Sequence, residues 1–91
     1  MPGYSIHKDQ LQARLRRIEG QVRGLQRMVE SDQYCVDIVT QVAAVQAALD
    51  KVSLGLLDGH IRGCVKEEIE QGGGEAKIDE LMALMDRALR R

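Results

Sequence analysis

The sequence predicts an all-α protein that assembles from more than one copy. Only one of its 91 residues is a proline, Pro2, so no proline interrupts a helix in the body of the chain. The aromatic residues are two tyrosines, and the remaining apolar residues are Val, Leu, Ile, Ala, Met and Cys, which suit packing between helices. A chain of this length forms a small domain with a marginal core. We therefore expect one domain, residues 1–91, that gains further core by oligomerising.

The first of three predicted helices covers about residues 6–30. The segment "ESDQYC" then breaks the pattern, and Ser31 or Asp32 is expected to cap the next helix. Residues 1–28 contain six basic and two acidic residues, a net charge of +4, although the whole chain carries −1. This segment favours contact with a polyanion, and a solvated helix face is the alternative. The apolar residues that recur every three or four positions are Leu11, Leu15, Ile18, Val22, Leu25 and Val29.

The second and third helices are predicted at about residues 33–70 and 76–90. The glycine run in "QGGGE" separates them, because consecutive glycines are poor helix formers. The apolar spacing of the second helix runs through Cys35, Ile38, Val42, Val45, Leu49, Val52 and Leu56 and continues to His60 and Cys64. The apolar residues on one side of the third helix are Ile78, Leu81, Met82, Met85 and Leu89.

The length of the second helix predicts a dimer. Such a helix is roughly 55–60 Å long, and the shorter first helix cannot cover its apolar side. An antiparallel dimer that forms a four-helix bundle is the simplest way to cover it. Gly55, Gly59 and Gly63 recur at four-residue steps on one face. We expect them to allow close approach of another backbone, with a helix loosened near its end as the alternative.

A histidine and two cysteines suggest a metal site. His60 and Cys64 lie one helical turn apart on the same face. Cys35 lies 25 residues before His60, roughly 38 Å along one helix. An antiparallel dimer would bring Cys35 of one protomer to His60 and Cys64 of the other, so two intersubunit sites are predicted. Two thiolates and an imidazole favour Cu(I), because structural Zn(II) takes four ligands and Ni(II) or Co(II) prefers further nitrogen or oxygen donors. The alternatives are ordinary core packing and a redox-sensing disulfide between the two cysteines.

Several other classes of protein are not expected. The sequence has no apolar signal segment and no stretch long enough to span a membrane, which favours a cytoplasmic location where thiols stay reduced. It has no phosphate-binding loop, paired carboxylates or nucleophile with an adjacent base, so an enzyme is not expected. A metal-independent helical scaffold remains an alternative.

Three segments resemble the copper-sensitive operon repressor (CsoR) family: "RLRRIEGQVRGLQRMVESDQYC" (14–35), "QVAAVQAALDKV" (41–52) and "HIRGC" (60–64). The resemblance extends over about residues 8–89. It implies an all-α protein whose dimers pair into tetramers and which lacks a conventional helix-turn-helix. It also implies a repressor that binds operator DNA and releases it when the effector binds.

The resemblance assigns roles to individual residues. In the copper-responsive branch, the Cu(I) ligands would be Cys35, His60 and Cys64, and the outer shell would be Tyr34 and Glu80. Cu(I) would then be the effector, and its binding would derepress copper-resistance genes.

The other branches of the family match less well. The nickel and cobalt branch has an N-terminal histidine where this chain has Gly3, and His7 is offset by about one turn. The formaldehyde branch lacks the second cysteine, and the persulfide branch lacks the histidine. A Ni/Co-responsive or a thiol redox or persulfide-responsive repressor of the same fold is the alternative.

Operator binding is assigned to basic side chains. Arg14 and Lys51 match basic positions that the family uses for DNA, and the first helix also offers Arg16, Arg17 and Arg23. Phosphate contacts would make the affinity strongly salt dependent. Because no base-specific pattern is evident, DNA shape is expected to contribute to specificity.

Overall fold

The computed structural model describes residues 7–88, and all regular secondary structure in this range is helical. The prediction of an all-α fold is therefore confirmed. Residue 6 and residues 89–90 of the predicted helices lie outside the described range. The elements are α1 (Lys8–Glu30), α2 (Cys35–His60), a π-helical segment (Ile61–Val65), α3 (Lys66–Glu70) and α4 (Gly74–Ala88).

The connection between α1 and α2 differs from the predicted cap. The Ser31 hydroxyl donates to the carbonyl of Arg27 at 2.7 Å, so it belongs to the end of α1. Asp32 adopts a left-handed conformation with φ 55°. The first bonds of α2 are accepted by the Tyr34 carbonyl, which receives the backbone N–H of Asp37 at 3.0 Å. The prediction that Ser31 or Asp32 caps α2 is therefore wrong, because the turn closes α1 before α2 begins.

The long second helix is present as an unbroken helical run over residues 35–70, and its hydrogen-bonding pattern changes near its end. Over Ile61–Val65 the backbone is π-helical, with bonds between residues five apart and a wider turn. The run ends at Glu70, as predicted. Gly72 follows with φ 85°, a left-handed conformation that glycine adopts without steric cost.

Helix α4 begins at Gly74, two residues before the predicted start. Gly74 is buried against Ile69. A Cβ atom at Gly74 would collide with Ile69 Cγ1 and lie 3.0 Å from Ile69 Cα. The third glycine of the run therefore allows α4 to start close to the end of α3.

The described chain divides into two compact units, residues 7–56 and 57–88. In the first unit, one half of the predicted apolar seams packs between α1 and α2. These buried side chains are 6–8% exposed and are Leu11, Ile18, Val45 and Val52, with Leu25 and Ala48 packed against them.

The other half of both seams remains exposed. Fully burying one such side chain contributes about 1.5–3 kcal/mol, so this stripe is a large unused source of stability. The shortage of core within the chain is confirmed for this unit, and the dimer that would cover it stays a prediction. The residues, at seven-residue spacing on each helix and 38–61% exposed, are Leu15, Val22 and Val29 of α1 and Val42, Leu49 and Leu56 of α2.

The glycines of the second helix do not act as a single set. A Cβ atom at Gly55 would lie 2.9 Å from Leu11 Cδ2, so Gly55 makes room for a side chain of α1. The expected close approach of another backbone stays a prediction. Gly63 lies in the π-helical segment, which fits the alternative of a loosened helix.

In the second unit, the π-helical segment, α3 and α4 pack against one another, and Val65 is buried at 4% exposure. Arg62 Nε donates to Asp58 Oδ1 at 2.8 Å. This hydrogen bond and the charge of Asp58 raise the pKa of Arg62. None of the helices in residues 7–88 combines the length and hydrophobicity needed to cross a bilayer.

Candidate functional site

His60 and Cys64 lie together where α2 passes into the π-helical segment. His60 is the last residue of α2, Cys64 is the fourth residue of the segment, and both are half-buried. In an α-helix a four-residue step overshoots one full turn by about 40°. A rotation of this size leaves both residues on the same side of the helical run.

Cys35 lies at the other end of α2, where it is the first residue and is exposed. It borders an apolar surface with Val36, Val39 and Ala43, of which Val36 is 54% and Val39 66% exposed. The Thr40 hydroxyl in this surface donates to the Val36 carbonyl at 2.8 Å, so it is satisfied within the helix. Contiguous exposed apolar surface is typical of a contact region.

One chain does not assemble the predicted three ligands. Within residues 7–88, no three His, Cys, Asp or Glu side chains lie together in an arrangement that could hold a metal ion. Cys35 and Cys64 are both free thiols, and Cys35 and His60 are the first and last residues of α2. The donor types, two thiols and an imidazole, suit a soft ion such as Cu(I).

The two residues of the predicted outer shell lie in different units of the chain. Tyr34 precedes α2, contributes its carbonyl to the first turn and is 68% exposed. Glu80 lies in α4, where its carboxylate pairs with Lys77 at 3.9 Å. An exposed pair of this kind contributes at most about 1 kcal/mol, so Glu80 can exchange this partner at low cost.

A groove in the unit of residues 7–56 brings together three of the five predicted DNA-binding residues. Arg14 and Arg17 come from α1, and Lys51 comes from α2. Ile18 and Ala48 also line the groove. Within residues 7–88, none of the three cations forms an ion pair. A cluster of unpaired cations attracts a polyanion such as DNA. We call this feature the basic groove.

Arg16 and Arg23 do not line the basic groove, although both are exposed on α1. Gln21 lines it and was not among the predicted residues. The signal for Gln21 was present in the sequence, because it lies seven residues after Arg14 and four after Arg17, on the same face of α1.

Comparison with known proteins identifies the family. A family model described as metal-sensitive transcriptional repressor matches residues 7–87. The chain belongs to this family of repressors. A copper-sensing transcriptional repressor CsoR from Bacillus subtilis (strain 168) is 56% identical over 78 residues, which are 86% of this chain and 77% of that protein. The copper-sensing transcriptional repressor RicR from Mycobacterium tuberculosis is 47% identical over 97% of this chain and 94% of its own length.

Two solved structures resemble the repressor. The crystal structure of the copper-sensing repressor CsoR with Cu(I) from Geobacillus thermodenitrificans NG80-2 has a TM-score of 0.87 and 43% identity. The match covers 94% of this chain and 90% of that chain. The nickel-responsive transcriptional regulator InrS has a TM-score of 0.78 and 40% identity, and the match covers 89% and 91% of the two chains. The fold is therefore shared by regulators named for different metals.

Family membership also bears on the class of function. Transcriptional repressors are regulators rather than enzymes and act on DNA, which agrees with the expectations from the sequence.

Proposed function

We propose that the chain is a Cu(I)-sensing repressor whose whole length, residues 1–91, serves as one metal-sensing and DNA-binding domain. The apo protein binds operator double-stranded DNA. Cu(I) then binds between Cys35 of one protomer and His60 and Cys64 of the partner subunit, DNA is released, and copper-resistance genes are derepressed. The working unit is a cytoplasmic homotetramer made of two antiparallel dimers.

The observation that carries the choice of metal is the donor set. Two thiolates and an imidazole suit Cu(I), and relatives at 56% and 47% identity are named copper-sensing repressors. The N-terminal histidine of the nickel and cobalt branch is replaced by Gly3, which lies outside the described residues. His7 occupies the N-cap position of α1.

The separation of the ligands supports an intersubunit site. Cys35 begins α2 and borders an exposed apolar surface, whereas His60 and Cys64 lie at the other end of the helix. An antiparallel partner would cover the apolar stripe and the surface beside Cys35, and it would supply the missing ligands in the same contact.

In this proposal Cu(I) binding and DNA binding are thermodynamically linked, so each changes the affinity of the protein for the other. Cu(I) would hold His60 in one orientation, and the second imidazole nitrogen would donate to Glu80, with Tyr34 completing the outer shell. For this, Glu80 leaves its exposed pair with Lys77. Drawing α4 towards the site biases the assembly against the DNA-bound shape. By reciprocity, DNA weakens Cu(I) binding by the same factor.

The decisive experiment is an anaerobic titration of the reduced protein with Cu(I), Ni(II) and Zn(II) while DNA affinity is followed. The proposal predicts that about one Cu(I) per chain lowers operator affinity markedly and that Ni(II) and Zn(II) do so weakly. Unchanged affinity with stoichiometric Cu(I) would contradict it. A response to Ni(II) alone would favour the nickel alternative, and a response that requires a Cys35–Cys64 cross-link would favour the redox alternative.

A His60→Ala variant separates metal binding from signalling. The two thiolates remain, so appreciable Cu(I) affinity is expected, but the path from the imidazole to Glu80 is lost. Cu(I) should then no longer release DNA. Full release by the variant would refute the assigned role of His60.

Salt dependence tests the DNA contacts, which we assign to Arg14, Arg16, Arg17, Arg23 and Lys51. Each phosphate contact contributes a slope of about 0.9 to the dependence of log affinity on log salt, or about 3.5-fold between 50 and 200 mM. Arg17→Gln should reduce this salt slope by about 0.9 for each protomer that contacts DNA. Arg27→Gln, with the same charge change on α1 outside the basic groove, is the control. Equal slopes for the two variants would count against the groove.

A further inference from the structure

The basic groove contains one polar side chain that carries no charge. Of the residues that line it, Arg14, Arg17 and Lys51 are cationic donors, and Ile18 and Ala48 are apolar. Gln21 is the remaining one, and it is exposed. It is neutral, so it adds nothing to the electrostatic attraction that dominates binding to the DNA backbone.

The chemistry of the amide distinguishes Gln21 from its neighbours. Arginine and lysine side chains only donate hydrogen bonds, whereas the glutamine amide both donates and accepts. Phosphate oxygens only accept, so the carbonyl of Gln21 has no use in a phosphate contact. Base edges in the major groove present donors and acceptors side by side, and glutamine matches adenine through its N6 and N7 atoms.

We propose that Gln21 reads an adenine edge in the major groove of the operator, while Arg14, Arg17 and Lys51 hold the adjacent phosphates. This inference rests on the proposed function and adds a source of sequence specificity to it. The cations set the position of the groove on the duplex, and Gln21 supplies the discrimination that phosphate contacts lack. Gln21 lies on the same face of α1 as Arg14 and Arg17, so the backbone contacts and the base contact occur in one docking event.

The test compares two duplexes with the full-length apo protein under reducing conditions. One duplex is selected by the wild-type protein from a randomised library, and the other is a scrambled sequence of the same composition. Gln21→Ala should weaken binding to the selected duplex by roughly 5- to 150-fold, which corresponds to one bidentate base contact. It should leave binding to the scrambled duplex and the salt slope unchanged.

Two further variants test whether the amide group of Gln21 itself makes the base contact. Gln26→Ala, on α1 outside the basic groove, should behave as wild type. Gln21→Met keeps the side-chain length without the amide and should lose as much affinity as Gln21→Ala. Individual A·T pairs of the selected duplex are then substituted in turn. At one position the substitution should weaken DNA binding by the wild-type protein and leave DNA binding by the Gln21→Ala variant unchanged.

The outcomes are distinguishable. Equal weakening on both duplexes, or no weakening on either, overturns the role of Gln21 while the proposed function stands. If Gln21→Met retains wild-type affinity, the contact is packing rather than base reading, and the proposal is wrong. If the wild-type protein shows no preference between the duplexes, the proposed function fails, and this inference fails with it.

Discussion

Two defective chains should form a working metal site when they are folded together. The first carries Cys35→Ser, and the second carries His60→Ala with Cys64→Ser. Each pure variant lacks part of the three-ligand set in every site. In an antiparallel mixed dimer, however, one site combines Cys35 of the second chain with His60 and Cys64 of the first. That site has only wild-type ligands, and the other site has none.

The expected yield follows from random pairing. With equal amounts of the two chains, about half of the dimers are mixed, and each mixed dimer has one complete site for two chains. The mixture should therefore hold about one quarter as many complete sites per chain as the wild type. The structural basis is that no three ligands lie together within residues 7–88 and that Cys35 and His60 are the first and last residues of α2.

The assay counts tight Cu(I) sites anaerobically in competition with a Cu(I) chelator. The two chains are unfolded together and refolded, and the control is the same pair refolded separately and assayed before subunits exchange. The mixture should recover sites that the control lacks. No recovery, or a full number of tight sites in the Cys35→Ser protein alone, would refute the intersubunit arrangement.

Three further predictions concern stability and assembly. Gly74→Ala should destabilise the apo protein by about 1–3 kcal/mol in chemical denaturation, because its methyl group would collide with Ile69; an unchanged midpoint would contradict the turn geometry. Gly20→Ala, where a Cβ atom meets nothing within 4 Å, should instead stabilise α1 by up to about 1 kcal/mol, and a loss of stability would show that the position is covered in the assembly. Leu49→Glu, on the exposed stripe, should lower the mass found by sedimentation, whereas Ala47→Glu on the opposite side of α2 should not; equal masses would show that the stripe is not the interface.

The helices were predictable from the sequence because helix formation depends on neighbours within a few residues. The three- and four-residue apolar spacing located α1 and the long second helix, and the glycine run located the break before α4. The cap of α2 was predicted wrongly, since Ser31 is equally suited to close the helix before it. The π-helical segment was not predicted, because its bonding pattern leaves no distinct spacing of residue types.

The candidate site was predictable in its chemistry more than in its arrangement. Cys35, His60 and Cys64 stand out by residue type, and their spacing along one helix predicted that a second chain completes the site. The sequence also showed a basic first helix. It did not separate Arg14 and Arg17, which line the groove, from Arg16 and Arg23, which do not.

The amino-acid pattern alone thus established an all-α chain with too little core and a soft donor set, because these properties follow from composition and from the helical repeat. The packing of α1 against α2 decided which half of each apolar seam is buried, at Ile18 and Val52, and which stays exposed, at Val22 and Leu49. The same packing placed Gln21 and Lys51 in one groove. Such pairings join residues about 30 positions apart, and they depend on the relative rotation of two helices, which no local spacing specifies.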